Sequence, residues 1–121
     1  MKDFRKLQVW DKSHRLTIRI YKVTESFPRE EVFGLISQIR RSAVSIPTNI
    51  AEGCGRNTNT EFARFMEIAS GSASELDYLL MLVRDLDLID EAQYTKISAD
   101  VTEIRKMLTT FIKTVRNTSN S

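Results

Sequence analysis

Four runs of apolar residues recur along the chain at alternating steps of three and four. The first holds Val9, Ser13, Leu16, Ile20, Val23 and Phe27, and the second Val32, Ile36, Ile39, Ala43, Ile46 and Ile50. Phe62, Phe65, Ala69, Ser72, Leu76, Leu79, Val83 and Leu86 make the third; Tyr94, Ile97, Val101, Ile104, Leu108, Phe111 and Val115 make the fourth. A mean step of 3.5 lays each set along one stripe of an α-helix that drifts into a left-handed seam. The breaks carry matching punctuation. Phe27-Pro28 ends the first run, and Pro28 with Glu30 and Glu31 suits a first helical turn. Gly53 and Gly55 close the second. Thr58 with Glu61 reads as a capping box, and Asp90 with Gln93 caps the fourth.

The pattern predicts an all-α protein with helices at about 8–26, 29–53, 59–87 and 91–116. Short connections make neighbours antiparallel, which gives an up-down-up-down, left-handed four-helix bundle. The single domain spans 1–116, with a polar, flexible tail at 117–121. No stretch alternates with period two for long enough to predict a strand.

A helix of an isolated bundle needs one apolar stripe and one wet face. Tyr78-Leu79-Leu80-Met81-Leu82-Val83 is apolar around the whole circumference. Met81 falls about 200° from Leu79 at ~100° per residue, so it faces away from the core. Trp10, Tyr21, Phe33, Leu35 and Val44 also lie off the core stripes. Tyr78 and Met81 are therefore expected at a homo-oligomer interface; the alternative is a thick core with scattered exposed apolar groups.

Composition narrows the chemistry. The 121 residues include one Cys and one His, which excludes a disulfide framework, multi-Cys metal clusters and His-based zinc sites. No metal or cofactor is expected. The N-terminus is charged throughout and no apolar run approaches the ~20 residues of a membrane span, so a cytoplasmic protein with no membrane partner is expected. Net charge divides unevenly, +5 over residues 1–64 and −3 over the rest. The two halves are expected to face each other within the fold or between subunits.

Several residues are candidates for function. Lys12, Arg15, Arg19 and Lys22 step by three and four along one helix face. Such a row suits phosphate contact or a solvated face paired with a neighbouring helix. Arg40, Arg41, Arg56 and Arg64 bracket the segment RRSAVSIPTNIAEGCGR; their planar forks suit phosphate, or carboxylates such as Glu52, Glu61 and Glu75. Within that segment Pro47 crowds the carbonyl of Ala43 and removes a donor. A bent helix end is expected there, presenting Asn49 and Glu52 together, with hydrogen-bond relief from Ser42 and Ser45. Gly71 sits mid-helix among small residues, where close helix approach or a ligand cavity offsets its ~1 kcal/mol cost. His14 lacks a positioned nucleophile. Cys54 lies near Arg56, which would lower its pKa. No convergent acid, base and nucleophile set is visible, so no enzyme is expected.

The sequence resembles the four-helix bundle proteins first noted as reading frames in intervening sequences of bacterial large-subunit (23S) ribosomal RNA genes. The resemblance rests on Val9-Trp10, Tyr21, Phe27-Pro28, Leu35, Gln38, Arg40-Arg41, Ser45-Ile46-Pro47 and Asn49-Ile50-Ala51-Glu52-Gly53. It continues through Gly55-Arg56, Phe62, Arg64-Phe65, Ala69, Gly71-Ser72 and Glu75, with Ser42 standing where Ala usually follows the Arg pair. It implies a cytoplasmic bacterial homopentamer, ring-shaped, with structural roles for Trp10, Pro47, Asn49, Glu52, Gly53, Gly71 and Glu75. The accessory variability protein of diversity-generating retroelements is similar, and implies RNA or DNA and a reverse transcriptase as partners. The expected function is a non-enzymatic scaffold or adaptor with nucleic-acid binding; the alternative is a protein–protein interaction module with no nucleic-acid role.

Overall fold

Four long helices carry almost the whole chain: α1 (Gln8–Thr24), α2 (Arg29–Cys54), α3 (Asn59–Asp85) and α4 (Glu91–Arg116), after a short 3₁₀ turn at Phe4–Lys6. The computed structural model describes residues 2–118, without the side chains of residues 29–32; the expectations for Glu30, Glu31 and Val32, and most of the tail, fall outside them. The described residues form no strand. α1 packs on α2 and α4, and α3 packs on α2 and α4.

The helix starts follow local chemistry. Thr58 accepts from the Glu61 amide at 3.2 Å, and Asp90 from the Gln93 amide at 2.7 Å, satisfying one otherwise orphaned donor at each N-terminus. Pro28 precedes the first turn of α2 as its N-cap rather than sitting within it. Asp87 turns the chain between α3 and α4 at φ 60°, a left-handed conformation that Asp tolerates better than most residues.

All four apolar stripes contribute to one core. Leu16, Ile20, Ile39, Ile46, Ile50, Leu76, Ile97, Ile104 and Leu108 are almost fully enclosed. Two stripes run differently from the sequence reading. In α1, Thr24 is buried where Val23 is only half-buried, because the Thr24 hydroxyl bonds back to the Ile20 carbonyl at 2.8 Å. In α3 the buried set is wider than the stripe: Phe62, Ala69, Leu76, Leu79 and Val83 are buried as expected, and Ala63, Met66, Ala73 and Leu80 join them. Phe65 and Ser72 are half-buried at its edge, and Leu86 is 53% exposed.

Pro47 does not end its helix. α2 continues through it to Cys54. Pro47 cannot donate to the carbonyl of Ala43, one turn earlier. That carbonyl instead faces the Thr17 hydroxyl of α1 at 3.1 Å, whose one proton is shared with the Ser13 carbonyl at 2.8 Å. Ser42 and Ser45 do not supply the expected relief: Ser42 bonds to the Ile39 carbonyl, and Ser45 meets Ser72 of α3 at 2.8 Å. Thr17→Val should therefore strand a buried carbonyl and cost about 1–2 kcal/mol in urea unfolding; an unchanged midpoint would show that the carbonyl does not depend on Thr17.

The two inner glycines of the motif region exchange roles. A Cβ on Gly71 would meet nothing within 4 Å, so neither close helix approach nor a cavity in its own chain explains that residue. A Cβ on Gly53 would lie 3.0 Å from both Phe62 Cδ1 and Phe65 Cβ. Gly53 lies inside α2 rather than closing it, and lets α2 and α3 approach; Gly55 forms the C-cap.

Candidate functional site

The cationic row on α1 is answered by carboxylates. Lys12 pairs with Glu103 and Arg19 with Asp100, both on α4, and Arg15 pairs with Asp11 one turn back at 2.9 Å. Such surface pairs contribute little to stability, but they neutralise three of the four cations. Lys22 alone in that row makes no ion pair among the described residues. Two further bridges, Arg105 to Asp77 and Arg116 to Glu67, tie α4 to α3. The charge asymmetry of the sequence is thus partly resolved inside the fold.

The four arginines of the motif region do not gather. Arg40 and Arg41 lie at least thirteen residues from the end of α2, about 20 Å along its axis. Arg40 closes the end of α1: its Nε donates to Thr24 Oγ1 at 2.9 Å and its Nη2 to the Tyr21 carbonyl at 3.2 Å. Its guanidinium also covers the Tyr21 ring at 4.5 Å. The expected carboxylate partners of Arg40 and Arg64 are absent; Arg56 bonds Glu52 at 2.9 Å instead. Arg56 and Arg64 stack around the Phe65 ring, at 4.7 and 5.7 Å. Arg41 is exposed and makes no ion pair among the described residues.

Asn49 and Glu52 are not presented together. The Asn49 amide donates to the Ser45 carbonyl at 2.8 Å and to Ser45 Oγ at 2.9 Å, so it braces α2 beside the Ser45–Ser72 contact. Trp10 stacks parallel on His14 at 5.0 Å and tilts against Phe4 at 4.9 Å, which makes the imidazole part of an aromatic wall. Cys54 departs from expectation: burial pushes its thiol above the usual cysteine range, with Lys2 opposing only in part. A buried thiol held protonated is a poor nucleophile. Thr17 was invisible as a structural partner in the sequence; the only signal was that Pro47 leaves the Ala43 carbonyl in need of a donor.

The outward faces of α2 and α3 carry the largest uncovered apolar groups. Phe33 is 71% exposed, Tyr78 60% and Met81 41%, with Val44 and Ile68 beside them. A shallow groove of about 590 Å³ runs along α2 on its α1 side, walled by Tyr21, Phe33, Arg40, Arg41 and Val44. Leu35, by contrast, packs against the core. No helix among the described residues is long and apolar enough to cross a membrane.

Residues 5–110 match the family described as 23S rRNA-intervening sequence protein. The chain belongs to the 23S rRNA-intervening sequence protein family. A crystal structure of a protein of unknown function from the S23 ribosomal protein family of Bacteroides thetaiotaomicron is similar, at 35% identity and a TM-score of 0.79. The similarity covers 87% of this chain and 98% of that one. No curated protein matches the sequence significantly. Within the family's span, Pro47, Gly53 and Asn49 have internal structural duties, whereas Gly71, Glu75 and Arg41 point outward without any.

Proposed function

We propose that this chain is a non-enzymatic scaffold that works by assembling with copies of itself. The observation that carries the reading is the uncovered apolar surface of α2 and α3, led by Phe33 and Tyr78. Exposed apolar groups of that size mark surfaces that another protein covers. The family resemblance supports a ring, specifically a cytoplasmic homopentamer. Cross-helix contacts support antiparallel neighbours: Thr17 meets Ala43 while Thr24 meets Arg40, and Ser45 meets Ser72 while Gly53 meets Phe62. Spacing of 3.5 residues supports a left-handed twist. The protonated, enclosed thiol of Cys54 and the stacked imidazole of His14 support a role without catalysis.

Nucleic-acid binding is the second reading, favoured by the outward cations Lys22, Arg41 and Arg64, and the family likeness extends it to a reverse-transcriptase partner. The paired state of Lys12, Arg15 and Arg19 favours the protein scaffold.

Both readings are separable in one purification. Tyr78→Lys combined with Met81→Lys should lower the mass seen by light scattering while helical circular dichroism persists. The gently purified protein should show the absorbance ratio of protein alone. Co-purifying RNA that Arg41→Glu releases would move the assignment to the nucleic-acid reading, and an unchanged mass would remove Tyr78 and Met81 from the interface.

A further inference from the structure

The outward faces of α2 and α3 are matched to each other, and not only apolar. On α2, Gly34, Ser37, Arg41, Val44 and Thr48 step by three, four, three and four, and all five are exposed. On α3, Ile68, Gly71, Glu75, Tyr78 and Leu82 repeat that spacing, the first four exposed and Leu82 half-buried. Each stripe spans ~21 Å of helix axis. The central residue is Arg41 on α2 and Glu75 on α3. Neither forms an ion pair among the described residues. Each stripe also contains one glycine with nothing within 4 Å of a Cβ built upon it.

We infer that the α2 stripe of one copy docks antiparallel against the α3 stripe of the next copy, with Arg41 paired to Glu75 across the contact. Antiparallel apposition about that pair sets small against large at three of the four flanking levels. Val44 then faces Gly71, Ser37 faces Tyr78, Gly34 faces Leu82 and Thr48 faces Ile68. Parallel apposition sets Val44 against Tyr78 and Ser37 against Gly71, leaving bulk on bulk and gap on gap. The two bare glycines, costly in isolated helices, are then the positions where the neighbouring backbone comes close. Opposite charges at the centre fix the register, since a slip of one turn sets Arg41 against an uncharged residue. The contact joins two different surfaces of the same chain. Made once between successive copies it is head-to-tail, a contact that closes a ring when the rotation from copy to copy divides a full turn. The inference rests on the self-assembly proposed above and adds which surfaces meet.

Charge reversal tests it. Arg41→Glu and Glu75→Arg each remove the attraction without touching an internal partner, so helical circular dichroism should persist. Each should raise the concentration for half-assembly at least tenfold, and the scattering mass should fall toward the 13.9 kDa of one chain. The combined variant Arg41→Glu/Glu75→Arg should regain the wild-type mass. Gly71→Leu, whose Cβ meets nothing in its own chain, should lower it. A wild-type protein that is monomeric overturns self-assembly altogether. A wild-type assembly indifferent to both single reversals, or one that the combined variant fails to restore, overturns this contact and leaves self-assembly standing.

Discussion

Leu80→Ala should lower the unfolding free energy by about 3 kcal/mol, whereas Leu86→Ala should change it by less than about 0.5 kcal/mol. Both residues lie in or beside the longest apolar run of the chain. Leu80 is off the sequence stripe of α3, yet it is 2% exposed; Leu86 is on that stripe, yet 53% exposed. Truncating an enclosed leucine loses its transfer free energy and leaves a cavity, which together cost about 2–5 kcal/mol. Truncating an exposed one usually stays within about 0.5 kcal/mol. Urea unfolding of the two variants under identical conditions reads the difference directly. Equal losses would mean that α3 is rotated from the orientation described here.

Gly53→Val should destabilise the protein by about 2–3 kcal/mol, and Gly71→Ala should stabilise the unassembled chain by up to ~1 kcal/mol. The first places methyl groups where a Cβ alone already meets Phe62 and Phe65 at 3.0 Å, so α2 and α3 must separate or the rings must turn. The second adds a Cβ into open space and recovers the helix propensity that glycine forfeits. Thermal unfolding in dilute solution, below the assembly concentration, measures both. A destabilised Gly71→Ala would mean that its Cβ meets something within its own chain.

The sequence foretold the four helices well because their caps and seams are local. Thr58 and Asp90 cap from their own side chains, and a step of 3.5 needs no knowledge of neighbours. The full width of the buried face of α3, which takes in Met66, Ala73 and Leu80 beside the stripe, was not legible, because residues 78–83 are apolar without interruption and no polar side chain marks the wet side. The site was legible in part. That Lys12, Arg15, Arg19 and Lys22 share a face follows from spacing; that Glu103 and Asp100 stand opposite follows only from how α4 packs. Pro47 announced an orphaned carbonyl at Ala43, but its donor, Thr17, lies 26 residues earlier on another helix. The expectation of close approach at Gly71 does not hold within the chain, where a Cβ built there meets nothing within 4 Å. Gly53, read as a terminator, proved to be the close contact because Phe62 and Phe65 of α3 pack against it.

The mass of the wild-type protein in solution tests the central claim most directly. Sedimentation equilibrium across a hundredfold range of concentration should give a discrete multiple of 13.9 kDa, stable at the upper end. A single species at 13.9 kDa throughout would contradict the account, since Phe33, Tyr78 and Met81 would then be bare surface with no copy to cover them.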